Sequence, residues 1–152
     1  DLADKFYFEN NTTLIFKLKK NVTWHDGVRF DASDVLFTYR TIISPKVITP
    51  YSSSFQFVKD VKVLDEFTVK VTYKKPYFKA LETWMMGILP KHILKDEKNL
   101  MSSKFNTNPI GTGAYRLERL EYCKDIVLKA YDNYFEGKAK IDKISFHIIA
   151  DP

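Results

Sequence analysis

Cysteine is nearly absent from the sequence, and long apolar runs are missing. The 152 residues include a single cysteine, Cys123, which excludes a disulfide within the chain and leaves the redox compartment undetermined. No apolar stretch approaches the ~18 residues that a membrane-spanning helix requires. The chain starts at Asp1 with neither an initiator methionine nor a signal peptide, and it stops at Pro152 after a strand-like run. We expect both ends to be cuts through a longer protein.

Histidine is also scarce, with His25, His92 and His147 as its three occurrences. None lies four residues from another or within a Cys/His cluster, so the pattern predicts no metal site. Asp26, beside His25, forms a strong turn dipeptide with Gly27, and this turn is the favoured interpretation of the acidic residue. The sequence therefore predicts neither a metal nor a cofactor.

Catalytic motifs are missing too. Cys123 lies in a predicted turn, and no serine occurs in a G-x-S-x-G elbow. The Gly-Thr-Gly segment at 111–113 has too few glycines for a dinucleotide fingerprint and lacks the P-loop lysine. We interpret it as a tight turn that needs positive φ before a strand. No catalytic residue is predicted, and an enzyme domain ranks last among the functions considered.

What the chain does contain is an excess of positive charge and many aromatic residues. Lysine and arginine number 24 against 19 aspartate and glutamate, for a net charge of +5, and 15% of residues are aromatic. The charge is compatible with a nucleic-acid partner, an anionic membrane surface or an ordinary solvated surface. Because the lysines are dispersed and no base-stacking motif is present, a solvated surface around an aromatic core is favoured. The alternative function is a small basic module that binds nucleic acid or anionic surfaces.

Alternating apolar residues predict short strands joined by tight turns. The clearest hairpin spans 61–73, with its turn at Asp65-Glu66, and residues 95–109 form a polar connector. Because such strands pair locally, with helices between the hairpins, the predicted class is α+β with mostly antiparallel sheets and short helices. The other strands are predicted at 14–18, 22–24, 114–121, 126–130 and 141–149.

Three helices are predicted between the strands. Asp31 is a suitable N-cap, and Asp34 stands three residues further on, as in a capping box. This helix should end before Pro45, because the residue that precedes a proline disfavours helical geometry. A second helix is predicted from Pro76 to Gly87, with Phe78, Leu81, Trp84 and Met85 along one side, and a short third helix from Pro90 through Leu94.

Four segments, in order, resemble the bacterial extracellular solute-binding proteins of the oligopeptide, dipeptide and nickel class. Ala3–Lys19 is similar to the N-terminal signature of that family, and Val22–Val35 to its turn-to-helix segment. Asn108–Tyr115, which reads NPIGTGAY, resembles its crossover segment. Tyr131–Lys138 and Ile141–Ile144 are similar to a further segment, with Phe in place of the favoured Trp and Ala in place of a frequent Pro. The ordered set is specific, although each match alone is weak.

The resemblance covers almost the whole chain and implies a domain organisation. Whole family members are several times longer and close two lobes around a ligand, with a smaller domain inserted in the first lobe. By this resemblance, residues 1–108 are the small inserted domain. Residues 109–152 are strands that return to the first lobe, which is incomplete, and the second lobe is absent.

The resemblance also implies a function and partners. We expect a non-catalytic substrate-binding component of an ABC importer for oligopeptides or dipeptides, in a family that also accepts nickel chelates, haem and sugars. The implied partners are a peptide or other small ligand, held together with the second lobe, and the ABC permease subunits. No nucleic-acid partner is expected. The implied location is the periplasm or cell envelope, with lipid anchoring of the full-length protein as one option.

Three ligand-binding residues follow from the resemblance. Tyr51, on the loop after the first helix, matches an aromatic that packs against ligand in family members. Met85 and Met86 end the second predicted helix, where other members line the same pocket. Tyrosine offers a rigid apolar face with one hydroxyl, and methionine adapts its shape. The alternative is that these residues pack the core; we expect Tyr51 to be partly exposed, on a concave face shared with the Gly111–Gly113 side.

Overall fold

The computed structural model of the protein describes residues 1–149, which form two compact units. The first unit contains Asp1–Lys20 and Asp31–Glu97, and the second contains Asn21–Phe30 and Lys98–Pro152. The predicted boundary after residue 108 therefore lies inside the second unit, which also includes the turn at 21–30. Among residues 1–149, no helix is long and apolar enough to cross a membrane.

The first unit is built on a four-stranded antiparallel sheet, with strand order β1-β2-β4-β3. Its strands are β1 (Ala3–Asn10), β2 (Thr13–Leu18), β3 (Val58–Asp65) and β4 (Thr68–Tyr73). The central strands β2 and β4 are largely buried, whereas the edge strand β1 is exposed along most of its length. The aromatics of β1, residues 6–8, are consecutive rather than alternating, and for that reason the sequence pattern did not predict this strand.

The hairpin of β3 and β4 confirms the clearest strand prediction. Val61 lies opposite Val71 and Val63 opposite Val69, so the valines share one face of the sheet. The Asp65 carboxylate accepts a hydrogen bond from the Phe67 backbone N–H at 2.9 Å, which closes the turn locally.

The first helix, α1 (Ala32–Ile42), begins and ends where the sequence predicts. Asp31 is the N-cap, and the capping box with Asp34 is complete. Asp34 is buried, with 4% of its surface exposed, and it also accepts a hydrogen bond from a second element. Its Oδ1 accepts the Lys91 backbone N–H at 2.9 Å, and Lys91 is the first residue of α2 (Lys91–Leu94), the predicted short helix.

The helix predicted from Pro76 to Gly87 is wrong. The segment forms turns and a 3-10 helix at Glu82–Trp84, and Phe78, expected on the buried side, is 91% exposed. Tertiary contacts replace the helix: the Tyr73 hydroxyl donates to the Ala80 carbonyl oxygen at 2.5 Å and accepts from Trp84 Nε1 at 3.0 Å. These bonds hold the segment against β4 in a path that apolar periodicity does not encode.

The second unit contains a three-stranded antiparallel sheet in the order β5-β6-β7. The strands are β5 (Tyr115–Glu121), β6 (Asp125–Ala130) and β7 (Lys143–His147), and the last is shorter than the predicted 141–149. The predicted strand at 22–24 is reduced to a single bridge between Thr23 and Arg29. The connector predicted at 95–109 carries two 3-10 helices, Leu100–Ser102 and Lys104–Asn106.

The predicted α+β class, with antiparallel sheets and short helices, is confirmed. One expectation about the backbone is wrong: neither glycine of the 111–113 segment has positive φ. Within residues 1–149 positive φ occurs at Gly27, Gly137 and Cys123. Gly27 has φ of 88° in the predicted Asp26-Gly27 turn, a conformation that favours glycine because it has no Cβ.

Candidate functional site

Tyr51, Met85 and Met86, the predicted ligand-binding residues, line one cavity of the first unit. The cavity has a volume of about 520 Å³, within the usual range for small-ligand sites. Tyr51 is 60% exposed and Met85 81% exposed, while Met86 is half-buried. Tyr51 and Met85 are therefore surface residues of this cavity rather than parts of the core.

The loop that carries Tyr51 is held by its own backbone and by one buried aromatic. The Tyr51 N–H donates to Thr49 Oγ1 at 3.3 Å, and its carbonyl accepts from the Ser54 N–H at 3.1 Å. Phe55, four residues on, is 3% exposed and packs edge-on against Tyr39 of α1, with ring centroids 5.5 Å apart. The loop thus directs one aromatic ring into the core and leaves the Tyr51 ring exposed.

The segment that carries the methionines is anchored through Trp84. The Trp84 ring packs against Phe55 at 5.4 Å, in an edge-to-face arrangement, and against Phe16 of β2 at 5.9 Å. Its Nε1 donates to the Tyr73 hydroxyl, and burial raises the pKa of Tyr73 to about 12, which keeps that hydroxyl protonated. Because Phe55 and Trp84 contact each other, the Tyr51 loop and the methionine segment are held side by side.

The cavity wall combines an apolar body with a polar rim. Its charged residues, Lys79 and Glu82, form an ion pair with 3.7 Å between Nζ and Oε1, so the wall as a whole carries no excess charge. Adaptable thioethers, aromatic faces and hydroxyl groups suit ligands of varied side chains bound by shape and neutral hydrogen bonds. The remaining lining residues are Ser53, Ser54, Phe55, Gln56, Tyr77 and Thr83.

His25, at which the sequence predicts no metal site, has a structural role within the second unit. The Gly111 N–H donates to His25 Nδ1 at 3.1 Å, so Nε2 carries the proton and donates to the Gly113 carbonyl oxygen at 2.9 Å. The ring packs edge-on against Tyr131, with centroids 5.0 Å apart. Burial lowers the pKa of His25, which favours this neutral form.

The part of the chain that the structure describes contains no group of three or more His, Cys, Asp or Glu placed to hold a metal ion. The pairing of His25 with the 111–113 loop was missed by sequence reasoning. A signal was available, since the two segments belong to the same set of ordered family matches. A Cβ on Gly111 would lie 3.5 Å from His25 Cε1, an ordinary van der Waals contact, so the approach of the two segments does not require glycine at this position.

Comparison with known proteins gives consistent matches over nearly all of the chain. Residues 1–152 match the family model described as bacterial extracellular solute-binding proteins, family 5, middle. The oligopeptide-binding protein AppA of Bacillus subtilis (strain 168) is 34% identical over 140 residues, which are 89% of this chain and 26% of AppA.

Solved structures of solute-binding proteins also match the fold of this chain. NikZ from Campylobacter jejuni, in complex with Ni(L-His), has a TM-score of 0.91 and 35% identity over 98% of this chain and 30% of NikZ. AppA from Bacillus subtilis, in complex with a nonapeptide, has a TM-score of 0.88 and 29% identity over 98% of this chain and 31% of AppA. The chain thus spans between a quarter and a third of the length of these relatives.

The resemblance seen in the four ordered segments is thereby confirmed over the full chain and in three dimensions. A family model that matches every residue, together with TM-scores near 0.9 against solute-binding structures, leaves one assignment. The chain belongs to the bacterial extracellular solute-binding proteins of family 5.

Proposed function

We propose that this chain is part of the substrate-binding component of an ABC importer that takes up oligopeptides or dipeptides. Family membership and the 34% identity to an oligopeptide-binding protein support the proposal. The receptor catalyses nothing, works with ABC permease subunits and is located in the periplasm or cell envelope. In this assignment residues 1–108 belong to the inserted small domain and residues 109–152 to the first lobe, and a second lobe completes the receptor.

The observation that carries the proposal is the cavity beside Tyr51. Three residues selected by resemblance, from two separate segments, line one concave surface and leave it open to solvent. The absence of excess charge on its wall favours a peptide side chain over a charged metal chelate, because an isolated charge would need a compensating partner there. Tyr51, Met85 and Met86 therefore form one wall of the proposed ligand cleft.

The test is the Tyr51→Ala variant of the full-length receptor. Removal of an aromatic anchor should weaken peptide binding by about 1–3 kcal/mol, and because Tyr51 is exposed, the thermal unfolding midpoint should stay nearly unchanged. Calorimetric titration with defined nonapeptides, dipeptides and Ni(L-His) would measure both the affinity and the ligand class.

Tyr122→Ala serves as the matched control. Tyr122 is 80% exposed and lies in the turn between β5 and β6, outside the cavity lining, so the variant should bind like the parent protein. A Tyr51→Ala protein that loses stability and keeps its affinity would show that the residue packs the fold instead. Binding of Ni(L-His) but of no peptide would overturn the proposed ligand class. The effect of Tyr51→Ala on Ni(L-His) binding would then decide whether the cavity is the binding site.

A further inference from the structure

Three cations lie in one row across the sheet of the second unit. Arg116 of β5 is directly opposite Lys129 of β6, and Lys129 is directly opposite Lys143 of β7. Directly opposed residues of antiparallel strands point to the same face, so these side chains share one side of the sheet. Like charges at opposed positions destabilise a sheet, and an arrangement of this kind therefore calls for a compensating charge.

One opposed lysine pair of the first unit is compensated at both side chains. Lys62 and Lys70 also lie opposite each other, in β3 and β4, but Lys62 Nζ is 3.5 Å from the Asp60 carboxylate and Lys70 Nζ is 2.6 Å from Glu9. In the row of the second unit, Lys143 has a partner, with Nζ 2.6 Å from the Glu118 carboxylate.

Arg116 and Lys129 differ from these lysines. Within residues 1–149 neither side chain forms an ion pair or hydrogen bond. Both line a cavity of about 330 Å³, all of whose lining residues belong to the second unit. Among the described residues, the two cations of the row without a contact partner are thus the two that line a cavity. Both act at longer range on the Asp132 carboxylate, and Lys129 also acts on Glu118.

The rest of the cavity lining is mixed. Pro109 and Ile110 supply apolar surface, and Asn108 supplies an amide. Of the two carboxylates at the cavity, Glu118 is paired with Lys143, whereas Asp26 accepts the Val28 N–H at 3.1 Å and keeps its negative charge. With Glu118 set against Lys143, the two cations face one carboxylate, so the lining keeps an excess positive charge next to an apolar surface.

We propose that this cavity binds a small organic carboxylate, with the carboxylate held between Arg116 and Lys129 and its apolar body against Pro109 and Ile110. The arginine fork matches a carboxylate in shape, and the lysine adds a point charge. Both cations are exposed, so the dissociation constant should be millimolar and should rise with salt. The site is separate from the Tyr51 cavity in its lining residues, and the inference does not depend on the proposed function.

The titration of His25 can be used to detect binding, since His25 also lines this cavity. The pKa of His25 is lowered chiefly by burial, and the positive charge of Arg116 lowers it further. A carboxylate bound at Arg116 would cancel part of that positive field, and the pKa of His25 would rise on binding.

The experiment is an NMR titration of the full chain with butyrate, and with its neutral analogue butyramide. Butyrate should give saturable shifts at the Gly111 amide and at the Arg116 side chain, together with an upward shift of the His25 titration midpoint. Loss of both charges in the double variant R116Q/K129Q should weaken butyrate binding about tenfold or more. K62Q/K70Q removes the same charge from a compensated pair and should bind as the parent protein does.

Several outcomes would overturn the assignment. These are the absence of saturable shifts with butyrate, equal binding of butyramide, and unchanged binding by R116Q/K129Q. Titration with inorganic phosphate tests whether the apolar surface contributes to binding. If phosphate binds as tightly as butyrate, the apolar surface contributes nothing and the assignment to an organic ligand is refuted.

Discussion

His25 shows how a single side chain can join two distant stretches of sequence. Its Nδ1 accepts from the Gly111 N–H, and its own backbone N–H donates to the Gly111 carbonyl oxygen at 2.9 Å. Tyr131, whose ring packs on the imidazole, donates its hydroxyl to the Trp24 carbonyl oxygen at 2.9 Å. An imidazolium has no lone pair for Gly111, so this arrangement requires the neutral ring.

The first prediction concerns the pH dependence of stability. Burial lowers the pKa of His25 in the folded state below its usual 6.5, so the unfolded chain binds the proton more readily. The contribution of the neutral ring should be fully present above pH 6.5 and should be lost as the pH falls through the lower pKa of the folded state. Urea unfolding at pH 7.5 and at successively lower pH measures this loss.

His25→Gln removes the titrating group and should flatten this part of the profile. His147→Gln, at a histidine that is 70% exposed on its side chain, is the control and should leave the decline in place. A decline of the same size in His25→Gln would refute the assignment of the pH effect to this ring.

At the scale of secondary-structure elements, Asp34 and Thr38 of α1 join the helix to the segment before α2. The Asp34 carboxylate accepts backbone N–H groups from Asp31 and Lys91, and Thr38 Oγ1 accepts the Leu89 N–H at 2.8 Å. Both residues are buried. Polar positions on the buried face of α1 therefore position the next element.

The second prediction is that Asp34→Ala destabilises the protein strongly. The substitution leaves the Asp31 and Lys91 N–H groups without their acceptor and removes half of the capping box, at a cost of about 2–4 kcal/mol in the free energy of unfolding. Asp96→Ala, at an exposed residue, should change it by less than about 0.5 kcal/mol. Urea denaturation of both variants measures the two free energies of unfolding. Equal values would show that the hydrogen bonds of Asp34 do not stabilise the packing of α1 against α2.

The sequence predicted helices and strands correctly where local interactions determine them, and it failed where tertiary contacts determine the structure. The capping box at Asp31 and the valine alternation of β4 are local signals, and both elements lie where they were predicted. The helix predicted from Pro76 was wrong because the Tyr73 hydroxyl, at the end of β4, bonds to Ala80 and Trp84 and holds that segment against the strand. The contact of Trp84 with Phe55 holds the Met85 segment next to the Tyr51 loop. Resemblance could therefore select these residues, whereas packing decided that they line one cavity.

At the scale of the whole molecule, the proposed function gives this chain one open wall of a ligand cleft. It spans 26% of AppA in sequence and 30% of NikZ in structure, and its cavity beside Tyr51 is exposed to solvent. Water at an open wall weakens charged hydrogen bonds and competes for the ligand, because electrostatic interactions are screened in a high dielectric.

The third prediction follows for the isolated chain, which should fold but bind peptides weakly or not at all. Circular dichroism should show cooperative thermal unfolding, since both sheets bury apolar residues, and calorimetry with a mixed peptide library should show little heat. The full-length receptor is the control and should bind the same library. Micromolar affinity of the isolated chain for any defined peptide would contradict the need for a second lobe.

The sequence by itself determined the family and those elements that local signals encode, such as α1 and the hairpin of β3 and β4. Caps, turn dipeptides and alternating faces depend on neighbouring residues, and the matched segments keep their order. Only the tertiary structure decided which side chains meet. Tyr51 and Met85 come from separate segments joined by the Phe55–Trp84 contact. Arg116 and Lys129 come from opposed strands whose register places like charges together. Such neighbourhoods depend on strand register and on long-range packing, which residue spacing along the chain does not specify.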